Sequence, residues 1–212
     1  MPQLAAYRFI EVNMDIFLYI MMATALVISM VEDVRRQKIP NVVTFTTMAL
    51  AVAVHSLSAG MNGFLYSAGG LALGMGLFMI PYIMGGMGAG DVKLMGACGA
   101  VFGPKGIILA SILVVLAGGL YGLIVVAFHP RYVASLLKRL WEMVKTIAVT
   151  FQFTQLPQNN NGKLPVLKFA IPIALGAFVY MWMNITGYDL FPILLGDNVK
   201  ILSIAFPQGG TA

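Results

Sequence analysis

The length of its uninterrupted apolar stretches constrains this chain more than any other feature. Residues 14–31, 42–59, 62–84, 106–128 and 166–187 are apolar runs with almost no charge. A helix needs about 20 apolar residues to cross a hydrocarbon layer about 30 Å thick. Irregular backbone cannot cross, because its N–H and C=O groups would find no partners there. A sixth stretch, 92–104, is shorter and rich in glycine (VKLMGACGAVFG lies around it), bracketed by Asp91 and by Gly103-Pro104-Lys105-Gly106. It has to return the chain across the membrane if the following run is also a span. Charged residues make up 10% of the chain, against roughly 25% in a soluble domain. With 59% hydrophobic residues and a mean hydropathy of +0.88, this excludes a soluble enzyme, a disordered chain and a secreted disulfide scaffold. The expected fold is one all-α domain over residues 1–212, a polytopic membrane helix bundle of about six transmembrane helices.

The basic residues predict its orientation. Arg35, Arg36, Lys38, Lys93, Arg131, Lys138, Arg139, Lys145, Lys163 and Lys168 fall on one side of a six-span arrangement, and Arg8, Lys105 and Lys200 on the other. The side rich in Lys and Arg is cytoplasmic by the positive-inside rule, so both termini are expected outside. The net charge of +5 is thus a topology signal rather than a nucleic-acid footprint, and the expected partner surface is the lipid bilayer. The N-terminus lacks a basic n-region and a clear small-residue cleavage site, so the first run reads as a retained anchor.

Between the last two runs, Val133, Leu136, Leu137, Leu140, Trp141 and Val144 recur at helical spacing opposite Arg131, Ser135, Lys138, Arg139, Glu142 and Lys145. This pattern predicts a basic amphipathic helix over 131–147 lying on the inner leaflet, followed by a polar, turn-rich cytoplasmic linker. Gly70/Gly74, Gly99/Gly103 and Gly118/Gly122 are small-xxx-small pairs that let helix backbones approach closely. The methionines read as flexible apolar filler, and His55 as a bundle histidine.

Eight acidic residues are few enough to weigh singly. Glu11, Asp15, Asp189 and Asp197 flank outer span ends, and Glu142 lies on the amphipathic helix's polar face. Glu32, Asp33 and Asp91 are left at cytoplasmic span ends. Glu32 reads as solvated. Asp33 precedes a basic turn and Ile39-Pro40-Asn41, where proline stops the helix and asparagine can cap the next one. Asp91 sits in Gly85-Gly86-Met87-Gly88-Ala89-Gly90-Asp91-Val92-Lys93-Leu94, whose glycines permit unusual backbone geometry or close approach. If the two loops meet, their carboxyls cannot readily both ionise, so the pair shares a proton. One member could then deprotonate water while the other polarises a carbonyl, which is general acid–base hydrolysis of a peptide bond. Serine or cysteine catalysis lacks a motif, and the lone Cys98 and scattered histidines give no metal site.

The combination of Asp33, Ile39-Pro40-Asn41, Gly88-Ala89-Gly90-Asp91-Val92-Lys93-Leu94 and the later Leu164-Pro165 and Ala170-Ile171-Pro172-Ile173-Ala174-Leu175-Gly176 resembles the type IV prepilin peptidases. These are GxGD-type aspartyl proteases of the membrane. The resemblance covers roughly residues 15–187. It implies an enzyme of the bacterial inner membrane that removes the short basic leader from prepilins at the cytoplasmic face, just after a glycine, without a cofactor. Asp33 and Asp91 would be the catalytic dyad. Gly88 and Gly90 would shape the loop, Pro40 and Asn41 would position the first aspartate, and Lys93 would support charge or substrate. Larger relatives carry a four-cysteine zinc-binding domain linked to N-methylation. With one cysteine and a first loop of about ten residues, this chain is expected to lack methyltransferase activity. Its compact form is similar to the peptidases of tight-adherence (Flp-type) pilus systems, with archaeal preflagellin peptidases as the alternative. Presenilin-like proteases share the GxGD chemistry but differ in span number and first-Asp motif. A small proton-coupled transporter using the same carboxylates is the alternative of a different class; its charges should sit at mid-membrane.

Overall fold

The computed structural model of the chain describes residues 2–83, 86–128 and 169–188. The amphipathic segment 131–147, the linker after it and both chain ends lie outside the described residues. Those residues are helical, with no strand among them. We label the helices α1 (Pro2–Arg36), α2 (Asn41–Ile83), α3 (Ala89–Phe128) and α4 (Ala170–Thr186). Three stretches, Met14–Arg36, Asn41–Ile83 and Ala89–Val125, are long and apolar enough to cross a membrane, and α4 is a shorter apolar helix.

Helices α2 and α3 each contain a break. In α2 the backbone leaves helical geometry at Ala59 (φ −128°, ψ 17°) and Gly60 (φ 57°, ψ −133°). In α3 it does so at Gly103 (φ 70°, ψ −178°), immediately before Pro104. A positive φ of this size strains any residue with a Cβ, so glycine marks both sites. The chain reverses at each. Met48 and His55 meet Gly96 and Val101, whereas Ser67, Gly70 and Gly74 meet Ala100, Gly99 and Met95. One half of α2 therefore runs with the first half of α3 and the other runs against it. Past Gly103, Pro104 and Ile107 lie beside Gly69 and Gly74, and Val114 against Gly176 of α4. The first break falls where the expected segments 42–59 and 62–84 adjoin, and the second at Gly103, one residue before the expected end of 92–104.

The sidedness is that of a protein whose solvent is hydrocarbon. Along α1, Leu18, Met22, Ala25, Leu26, Ser29 and Asp33 recur at helical spacing and are buried, while Ile16, Phe17, Ile20, Val27, Ile28, Val31 and Val34 face outward. Polar Thr44, Thr47, Ser67 and Ser111 are likewise inside, and exposed Leu, Ile and Val cover the outer faces of α2, α3 and α4. In a bilayer the outside must be apolar and the interior is where polar groups find partners.

The expected short segment is the centre of the bundle. From Asp91 to Pro104 every residue except Lys93 is buried. A helix apolar on all sides is one with neighbours on all sides. Its glycines make that possible: Gly99 packs against the Gly70 carbonyl and Gly74 against the Met95 carbonyl, backbone on backbone. Among the described residues, Gly118 and Gly122 meet no such seam. The nearest atom to a Cβ on Gly118 would be Pro172 Cβ at 3.8 Å, and Gly122 has nothing within 4 Å. Helix α4 ends at Gly187 (φ 75°), where the Tyr188 N–H reaches back 3.0 Å to the Met183 carbonyl and closes the last turn.

Candidate functional site

Asp33 is the last buried residue of the α1 stripe and is 9% exposed. One turn later the helix ends. Gln37 takes a positive φ of 54° while its N–H still reaches the Asp33 carbonyl at 3.0 Å. The chain then turns through Ile39 and Pro40 into α2. The Pro40 carbonyl accepts the first N–H groups of that helix, from Val43 at 3.1 Å and Thr44 at 3.4 Å. Proline thus stands at the helix entrance, as the sequence predicts. Asn41 does something else: its side-chain oxygen accepts a hydrogen bond from Lys93 Nζ at 2.9 Å, in the first turns of α3.

Asp91 occupies the third position of α3 and is 8% exposed. Its Oδ2 accepts the Gly88 N–H at 3.1 Å, and its own N–H returns 3.1 Å to the Gly88 carbonyl. This is one half of a capping box, with the third residue reaching back to the N–H before the helix. The positive end of the helix dipole faces the same carboxylate. The glycines contribute space here rather than exotic dihedral angles, since Gly86, Gly88 and Gly90 are absent from the positive-φ positions. A Cβ on Gly90 would lie 3.1 Å from Ile39 Cβ, and one on Gly88 would lie 3.1 Å from Asp91 Oδ2.

The two loops therefore meet. Ile39 seats on Gly90, Asn41 holds Lys93, and Lys93 Nζ also rests 5.2 Å above the Phe45 ring. Both aspartates are buried at this junction. All seven candidate residues (Asp33, Pro40, Asn41, Gly88, Gly90, Asp91 and Lys93) lie at this one end of the bundle. Glu32 stands apart, paired with Arg36 at 3.2 Å on the neighbouring face of α1. Among the described residues no group of three or more His, Cys, Asp or Glu is placed to hold a metal ion.

Sequence reasoning passed over Ser29. It is fully buried, its hydroxyl finds no hydrogen-bond partner among the described residues, and it lies one turn before Asp33 on the same stripe. The signal was its i, i+4 spacing to an aspartate on an otherwise apolar face.

Residues 20–123 match the family model of the type IV leader peptidase family, Peptidase_A24. This span contains both aspartates and the loops that join at the site. No curated protein and no solved structure matches the chain.

Proposed function

Taking the chain as a type IV leader peptidase-like membrane protein, we propose that it is an aspartyl endopeptidase that cleaves prepilin-like substrates, with Asp33 and Asp91 as the catalytic pair. One observation carries this reading: the turn through Ile39 and Asn41 docks on the first turns of α3 and leaves two buried carboxyls at the same end of the bundle.

The chemistry follows from the pair. Two carboxyls that share one site would hold one proton between them at working pH. The ionised member takes a proton from water as the water oxygen attacks the scissile carbonyl carbon. The protonated member gives its proton to the carbonyl oxygen, forming a tetrahedral diol. Collapse breaks the C–N bond, with a proton delivered to the leaving nitrogen, and releases a carboxylic acid and an amine. No covalent enzyme intermediate forms. The hydrogen bond from Gly88 to Asp91 and the latch between Lys93 and Asn41 fix where the carboxyls stand, and fixed geometry is what this mechanism needs.

The remaining parts of the reading rest on the resemblance and the charge distribution. Six spans with both ends outside would place the site at the cytoplasmic face of an inner membrane, as the excess of Lys and Arg on that side implies. A substrate whose apolar helix stays in the bilayer would then present its leader junction, after a glycine, at the membrane boundary. The short Gln37–Pro40 connection leaves no room for a zinc domain, in keeping with a peptidase of the compact Flp-type form without methyl transfer. Both carboxyls stand at helix ends rather than at mid-helix breaks, which favours a peptidase over the proton-coupled transporter.

Co-expression with a Flp-type prepilin tests the proposal by a gel shift of the leader. Wild type should shorten the substrate, and Asp33→Asn and Asp91→Asn should each abolish processing while remaining in the membrane fraction. Normal cleavage by either variant refutes the dyad.

A further inference from the structure

The half of α3 that carries Asp91 ends at Phe102, at the opposite end of the bundle, in a cluster no part of the proposed chemistry uses. A helix leaves its last four carbonyls without intrahelical partners, and this one is cut short with particular severity. Pro104 has no N–H to offer the Ala100 carbonyl, and the backbone departs from helical geometry at Gly103. Three side chains of α2 take up those carbonyls. Ser67 Oγ donates to Ala100 O at 2.8 Å, Tyr66 Oη donates to Phe102 O at 2.9 Å, and His55 Nε2 lies 3.3 Å from Val101 O, a contact that requires the proton on Nε2. The His55 and Tyr66 rings pack edge to face at 5.3 Å, and the Tyr66 ring lies directly on Gly103.

Building on the dyad reading, we propose that Ser67, Tyr66 and His55 form a positioning clamp that sets the axial register of the half-helix bearing Asp91, and hence the placement of Asp91 against Asp33. The physical need is specific. Along its length this half-helix meets its neighbour through Gly70–Gly99 and Gly74–Met95, backbone against backbone. The side chains beside these seams, such as Met48 and Met75 on Gly96, add packing but no directional bonds along the axis. At the Asp91 end, Lys93 and Ile39 hold the half-helix to the corner between α1 and α2, and a shift of the far end has to be opposed there. The directional bonds to three successive carbonyls oppose one at the other end. A rod displaced by about 1 Å at one end is displaced equally at the other, and a misplacement of that size costs a catalytic group up to about a hundredfold.

The test uses the full chain in dodecyl maltoside, with a prepilin as substrate and Cys98 as an internal reporter. Cys98 is fully buried, belongs to the same half-helix and is the chain's single thiol. The variants are Tyr66→Phe, which keeps the ring on Gly103 and removes only the hydroxyl, Ser67→Ala, and the pair together. In the double variant, kcat per folded molecule should fall about tenfold with KM within twofold, the pH–rate profile should change width, and N-ethylmaleimide should label Cys98 faster. A kcat and pH profile equal to wild type, or an unchanged Cys98 labelling rate, overturns the clamp. Wild type failing to cut any prepilin sinks the proposed function instead, and Cys98 labelling then decides the clamp by itself. If the double variant does not fold, Tyr66→Phe alone carries the same readouts.

Discussion

A single added methyl group at Gly99 should separate the two helices that hold the site in register. A Cβ there would collide with the Gly70 carbonyl oxygen and approach the Leu71 nitrogen to 3.1 Å. The obstacle is backbone, which cannot rotate away as a side chain can, so the helices must part by roughly an ångström, forfeiting about a quarter to a half of each contact's attraction. Overpacking of this kind costs about 1–3 kcal/mol, offset by up to about 1 kcal/mol of better helix propensity for alanine. We expect Gly99→Ala to lose about 1–2 kcal/mol. Gly76 is the internal control, since it lies on the outer face of α2 with nothing within 4 Å of its would-be Cβ. Gly76→Ala should be neutral or stabilised by up to about 1 kcal/mol. The assay is equilibrium unfolding in dodecyl maltoside micelles with rising dodecyl sulfate, alongside cleavage of a prepilin. Gly99 lies two helical turns from Asp91, so Gly99→Ala should also lose at least about tenfold in cleavage per folded molecule. If the two variants unfold together, within about 0.5 kcal/mol, the backbone seam does not govern packing and the reasoning is refuted.

Two further outcomes follow from the site. A double-mutant cycle of Lys93→Met and Asn41→Ala should give a coupling of about 1 kcal/mol, or about fivefold in kcat/KM, since the hydrogen bond is charge-assisted but partly exposed; additivity within about 0.3 kcal/mol means the two loops are not latched there. Cleavage should follow a bell-shaped pH dependence. Below the lower apparent pKa both carboxyls are protonated and no base remains, and above the higher one both are charged and no acid remains. A rate that climbs monotonically with pH would exclude a dyad sharing one proton.

The helical class and the ends of the apolar segments were legible because lipid imposes them: run length, proline and glycine positions are written directly in the chain. Gly60 and Gly103 were readable as interruptions, and His55 as a bundle histidine. The chemistry of Asp33 and Asp91 was readable from residue type and motif, but their meeting was conditional, because nothing in a sequence states which loops touch. Asn41 shows the limit. As an asparagine at a helix start it reads as a cap, yet a lysine 52 residues away claims its side chain. Asp91 shows the reverse, a candidate catalyst that also performs the local capping the sequence assigned to neither residue of its turn. Ser29 and Tyr66 escaped notice because their significance depends on which face of a helix looks inward, and on a membrane protein both faces are largely apolar.

The central half-helix has one more consequence. Ala89 to Phe102 is 14 residues, about 21 Å of α-helix, whereas the hydrocarbon layer is about 30 Å thick. Such a rod cannot reach both surfaces, and the helices around it are not bound by its length. Unless the bilayer thins to meet it, a rod this short would leave a depression at one face, walled by its neighbours. A hydrolase acting on a bilayer-embedded substrate faces a supply problem, because one reactant is water and the other resides in oil. A dimple of this kind would bring the aqueous phase below the mean membrane surface, to a substrate that never has to leave it.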